Sequence, residues 1–135
     1  MYKAISYVLI LRVRESCKVE VGSLGLIDVV KGYYAYVGSA KRGVLKRLMR
    51  HFSRMKKRRW HIDYLTSLEF VDVVVSFILF GRDEKSLAGL FSRKFNFVRG
   101  FGCSDDRVNP SHLFYLGEFD SLDNVVVFVF ENLIF

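Results

Sequence analysis

The sequence predicts an α+β fold, an α/β sandwich whose central mixed β-sheet is flanked by helices, in one domain over residues 1–135. Three observations carry this. Apolar stretches of strand length recur at both ends and in the middle of the chain. Two stretches with helical character, residues 42–57 and 84–95, separate them, so the order is strands, helix, strand, helix, strands. Finally, 135 residues with 51% hydrophobic content, one Pro and no linker or repeat suit a single buried core.

Residues 4–13 (AISYVLILRV) form a first, buried strand of β-branched and large apolar residues. Residues 14–18 make a polar turn. Val19-Glu20-Val21 is a short alternating strand, and Gly22 and Gly25 punctuate a tight connection. Residues 26–30 continue as strand until Lys31-Gly32 turns the chain back. The next strand covers residues 33–38, with Tyr34 and Tyr36 on one face and Tyr33 and Ala35 on the other. A basic helix follows, and residues 60–68 suit either a short helical turn or a loop. The run 71–80 reads as a central strand buried on both faces. Asp83 is the expected N-cap of a second helix, whose Leu87, Leu90, Phe91 and Phe95 share a core face. Residues 99–110 carry turn residues throughout, and residues 112–116 (HLFYL) and 125–130 (VVVFVF) are the expected last strands.

Charge is distributed unevenly. Residues 41–59 hold ten of the chain's 21 Lys and Arg and no Asp or Glu. With a net charge of +7 and a pI near 9.6, the chain invites an anionic partner, either nucleic acid or an acidic membrane surface. At about 100° per residue, Val44, Leu45, Leu48, Met49, Phe52 and Met55 fall within an arc of roughly 140°, the expected core face. Arg47, His51, Arg54 and Arg58 form a row along one border of that arc, and Lys46, Arg50 and Lys57 lie further towards solvent. Solvated surface charge is the ordinary reading of such a run. Here no acid within the run pairs with it, and Gly38 and Ser39 are expected at the helix start, where backbone N–H groups favour phosphate.

Membrane insertion is not expected. The apolar runs 71–80 and 125–130 are too short to span a bilayer, and the first is interrupted by Asp72 and Ser76. No long amphipathic segment with a broad aromatic face supports docking on acidic lipid. Met1-Tyr2-Lys3 leads straight into the first strand without a signal peptide. The expectation is a soluble, cytoplasmic chain. Cys17 and Cys103 are too few for a disulfide framework and lack the paired spacing of a zinc site. Phe128, Phe130 and Phe135 are candidates for a homodimer contact, although burial at a sheet edge explains them equally well.

Tyr36-Val37-Gly38, followed by Ser39-Ala40-Lys41, resembles the second half of the GIY-YIG signature. Arg47 stands nine residues beyond Gly38, close to the helix arginine of that superfamily, with His51 one turn later. Ile5-Ser6-Tyr7 occupies the place of the GIY tripeptide and matches it only at the tyrosine, because Ile5 replaces the glycine. The 28 residues between Tyr7 and Tyr36 exceed the usual spacing. That insertion, together with Trp60-His61-Ile62-Asp63-Tyr64-Leu65 and the late FGCSD and SHLFY motifs, is similar to one GIY-YIG-like branch that also occurs fused to endonuclease-III-type DNA repair glycosylases.

The resemblance implies a metal-dependent endonuclease acting on DNA, possibly in repair. Arg47 would hold the scissile phosphate, Tyr7 and Tyr36 would position water, and His51 would assist proton transfer or contact the phosphate. Glu84 would bind Mg²⁺ or Mn²⁺, although a different gapping puts Gly89 at that position. The macrodipole alone also favours an acid at a helix start. Ser39, Lys41, Arg42, Arg50, Arg54, Arg58, Arg59 and His61 are the candidate nucleic-acid contacts. Phosphodiester cleavage independently needs a Lewis acid, an oriented nucleophile and a cation on the phosphate. The rival is a degenerate domain on the same scaffold that grips phosphates without cutting them. A Ser/His/Asp hydrolase built from Ser104, Asp105 and His112 lacks a G-x-S-x-G elbow.

Overall fold

A computed structural model describes residues 4–40 and 43–134. In chain order its elements are β1 (Ile5–Val13), β2 (Cys17–Val21), a 3-10 turn (Gly22–Leu24), β3 (Gly25–Val29), β4 (Gly32–Ser39), α1 (Val44–Phe52), α2 (His61–Thr66), β5 (Val71–Phe80), α3 (Glu84–Lys94), β6 (Asn96–Phe97), β7 (Leu113–Gly117) and α4 (Leu122–Ile134). Five strands form one sheet in the order β5-β1-β4-β7-β6, while β2 and β3 make a separate hairpin.

The α+β class and the helix-flanked sheet hold. Where the sequence predicts a mixed sheet, every pairing in it is antiparallel. β1 is the buried strand its composition demands: Val8, Leu9, Ile10 and Leu11 are all fully enclosed. Alternation along it builds two cores. Tyr7, Leu9, Leu11 and Val13 pack with Tyr34, Leu48, Ile62 and Leu65 on the face covered by α1, α2 and the hairpin. Val8 and Ile10 pack with Tyr33, Ala35, Leu87, Phe91, Val125 and Val129 on the face covered by α3 and α4. The tyrosines of β4 divide between the faces as the period of two requires.

Three local expectations are corrected. The run 71–80 is an edge strand rather than a central one, and its side chains are mostly half-buried. A continuous apolar run does not tell a two-sided strand from an edge strand that helices shield. The VVVFVF run is helix, not strand. Ser121 Oγ accepts from the Asn124 N–H at its start, and Val125 and Val129, one turn apart, are buried against the sheet. The β-branched penalty against helix is only tenths of a kcal/mol per residue, so packing overrides it. Of the two readings for residues 60–68, a short helical turn or a loop, the helical one holds, as α2.

The third correction concerns the basic helix, which is shorter and rotated. It starts at Val44 after Gly43, whose φ of +63° is left-handed, and ends before Ser53. Gly38 and Ser39 therefore sit on β4 and not at the helix start. Its buried residues are Leu48 and His51, whereas Leu45, Met49, Phe52 and Met55 face solvent. Lys56 Nζ caps the last turn by donating to the Arg50 and His51 carbonyls, so Arg54 and Arg58 lie beyond the helix.

Candidate functional site

Register creates the site. Tyr7 pairs with Gly38 and Leu9 with Tyr36 across β1 and β4, so Tyr7 and Tyr36 lie diagonally on one face. Gly38 leaves room for the Tyr7 ring: a Cβ there would lie 2.8 Å from Tyr7 Cε1 and closer still to Cζ and Oη. Helix α1 crosses this face with Arg47 and His51 one turn apart and turned inward. The Tyr7 hydroxyl lies 2.7 Å from His51 Nε2. Arg47 donates to the Ser39 carbonyl and stacks over the Trp60 ring, 4.4 Å from its centroid. Arg50 lies 4.9 Å from the same ring.

Tyr7, Tyr36, Arg47 and Glu84 line one cavity of about 660 Å³. Trp60, just before α2, and His61 and Tyr64 within it form part of its wall, and Ile5, Ser39 and Arg59 also line it. Glu84 arrives as the first residue of α3, after Asp83, whose carboxylate caps the helix by accepting from the Ser86 N–H. The candidates from β1, β4, α1 and α3 thus meet in one place, with His51 directly behind Tyr7.

The basic candidates divide. Arg50 donates to the Asp63 carboxylate at 2.7 Å. Arg54 pairs with Asp72 at 2.8 Å and donates to the carbonyls of Leu68, Glu69 and Val71. The acids missing from the basic run are supplied from elsewhere in the chain. Arg58 stacks on Tyr64, and His61 Nδ1 accepts from the Gly102 N–H at 2.9 Å. Lys41 and Arg42 lie outside the described residues, as does Phe135. Of the other C-terminal aromatics, Phe130 is half-exposed while Phe128 packs against the α3–α4 core.

Sequence reasoning left Asp106 and His112 without roles. His112 Nε2 lies 2.7 Å from Asp106 Oδ2, and its Nδ1 lies 3.1 Å from the Val37 carbonyl and 3.6 Å from Glu84 Oε1. Asp106 also accepts from the Asn109 side chain and from the backbone N–H groups of Val108 and Asn109. Burial alone would raise its carboxyl, but these bonds hold it well below the usual carboxylate range. His112 is thereby clamped beside Glu84. The signal available beforehand was the FGCSD and SHLFY pairing, which carries no spacing rule that announces a contact.

Burial raises the Tyr7 phenol, with Arg47 partly offsetting it, and raises Tyr36 well above the ordinary range. Both act as neutral hydroxyls near neutral pH. Burial, aided by Lys56, pushes His51 down to about 4, so its ring is neutral and Nε2 is able to accept a hydrogen bond from the Tyr7 hydroxyl. Unfolded, the ring titrates near 6.5, so on acidification the unfolded chain takes up a proton that the native state refuses. Stability is therefore expected to fall by roughly 3 kcal/mol between pH 6.5 and 4. Urea titrations at both ends of that window check this, and the His51→Phe variant should lack this component of the slope.

As for a divalent ion, Glu84 offers one hard carboxylate in the cavity, while the Asp106 oxygens are engaged by His112 and Asn109. Among the described residues no group of three His, Cys, Asp or Glu side chains could hold a metal. The donor set fits an ion such as Mg²⁺ that keeps several waters and takes one or two carboxylates plus substrate phosphate.

An antiparallel sheet flanked by helices, with two tyrosines, an arginine and a glutamate lining one cavity, defines the class of this chain as an α+β domain. The chain belongs to the family described as domain of unknown function DUF123, whose model matches residues 6–135. No curated protein and no solved structure matches it. Among the described residues no helix is long and apolar enough to cross a membrane.

Proposed function

We propose that this domain is a GIY-YIG-like, divalent-metal-dependent endonuclease that hydrolyses phosphodiesters in DNA. The observation that supports it most is the convergence of Arg47, Tyr7, Tyr36 and Glu84 on one cavity. Arg47 binds the scissile phosphate, its guanidinium oriented by the Trp60 ring and the Ser39 carbonyl. Tyr36 and Tyr7, both neutral, orient the attacking water by hydrogen bonding. His51 Nε2 accepts a hydrogen bond from the Tyr7 hydroxyl, which leaves the lone pairs of Tyr7 Oη for that water. Glu84 would hold the ion, with His112 3.6 Å from its carboxylate and Asp106 in turn holding His112. When bound, Mg²⁺ or Mn²⁺ supplies Lewis acidity to the phosphate and lowers the pKa of a coordinated water.

A phosphate-gripping module without chemistry is the second reading. It is favoured by Ile5, whose side chain lines the cavity where the related signature has glycine. A cleavage assay with Mg²⁺ or Mn²⁺ on branched, nicked and single-stranded DNA separates the two. Cleavage that falls 100- to 1,000-fold in Arg47→Ala and in Glu84→Ala is expected. Tight binding with no cutting of any substrate would select the second reading.

A further inference from the structure

We infer that the cavity takes a nucleotide outside a base pair, in a single strand, a flap or an extruded position, and that an intact duplex is not its substrate. This rests on the phosphodiester reading above. Depth is the first observation. Tyr7 and His112 are 2% and 1% exposed, and both contribute to the cavity lining. A duplex resting on the rim keeps its backbone on the outside of a rigid cylinder, away from such recessed groups. A strand free of its partner bends in.

Volume agrees. A cavity of about 660 Å³ lies within the range that encloses small organic ligands, roughly 300–1,000 Å³. That accommodates a nucleotide or two and no duplex. The lining suits one strand. Arg47 and Arg59 supply cations for a backbone, and Trp60, His61 and Tyr64 supply rings for bases. Asp83, Glu84 and Asp105 line the same cavity, and a second phosphate chain would meet those carboxylates. Trp60 is 37% exposed, and a base that stacks on it shares the ring with the Arg47 and Arg50 guanidiniums.

Stacking one base on an aromatic ring strengthens binding by about tenfold, and that ratio is the quantity to read. Labelled single-stranded DNA, a flapped duplex, a duplex with one bulged nucleotide and a fully matched duplex are titrated by anisotropy at a single salt concentration, without added metal. Trp60, the only tryptophan of the chain, is followed by fluorescence in parallel. The expected result is about tenfold tighter binding of the three substrates with unpaired nucleotides than of the matched duplex. Trp60 quenching should appear only with those three, and Trp60→Ala should erase the preference. Matched duplex bound equally or more tightly overturns the inference and leaves the nuclease reading intact. Failure to bind any of the four overturns both.

Discussion

Replacing Asp63 by alanine is expected to lower stability by about 3–5 kcal/mol, the cost of breaking a buried charge pair from one side. The Asp63 side chain is fully enclosed. It accepts from the Arg50 guanidinium at 2.7 Å and from the backbone N–H groups of Arg59 and Trp60 at 2.8 and 3.0 Å. Burial alone would raise its carboxyl, but those bonds outweigh burial and lower it. Lys56, 4% exposed, has its ammonium 4.0 Å away, and burial pushes that group down to about 8. Removing the carboxylate would leave two cations and two N–H groups short of their partner. Because small domains have about 5–15 kcal/mol in total, the variant should be near the edge of folding. Urea denaturation measures it, and Asp63→Asn, which keeps acceptor capacity, should lose less. A loss below about 1 kcal/mol for alanine would mean that Asp63 does not hold this corner together.

Gly38→Ala is the second large effect. The added methyl would press into the ring of Tyr7, which is 2% exposed, enclosed by the core and tied to His51. Overpacking of this kind costs about 1–3 kcal/mol. Here the upper end is expected, because the ring cannot withdraw without breaking the hydroxyl's contact with His51 Nε2. The displaced tyrosine should also change the His51 ring ¹⁵N shifts, a readout of the site itself. A double-mutant cycle isolates the cause: in a Tyr7→Leu background the same methyl should cost markedly less. Equal cost in both backgrounds would place the glycine's role elsewhere.

Much of the site was legible because its parts are local. Tyr36-Val37-Gly38 carries in three residues a ring, a buried apolar side chain and the space for the opposing Tyr7 ring. The one-turn interval from Arg47 to His51 sends both side chains the same way. Asp83 and Glu84 announced a helix start by type alone. The tie between Asp106 and His112 was not legible. It depends on a loop closing so that residues six apart meet, with the Asn109 side chain completing the clamp. The inward face of α1 was misjudged for a related reason. Hydrophobicity put Leu45, Met49 and Phe52 inside, but the hydroxyl of Tyr7 and the cavity made His51 and Arg47 the better inward residues.

What the sequence determined alone is the order of elements over most of the chain and the two-faced alternation of β1 and β4. Periodicity and residue type encode these within a few neighbours. Tertiary structure decided that residues 122–134 are a helix, that β5 sits at an edge, and that Arg50 and Arg54 are engaged by Asp63 and Asp72. Those outcomes turn on partners 13 and 18 residues away for the two arginines, or on which surface a neighbouring element leaves uncovered. Burial and charge pairing across such distances outweigh propensities of a few tenths of a kcal/mol per residue.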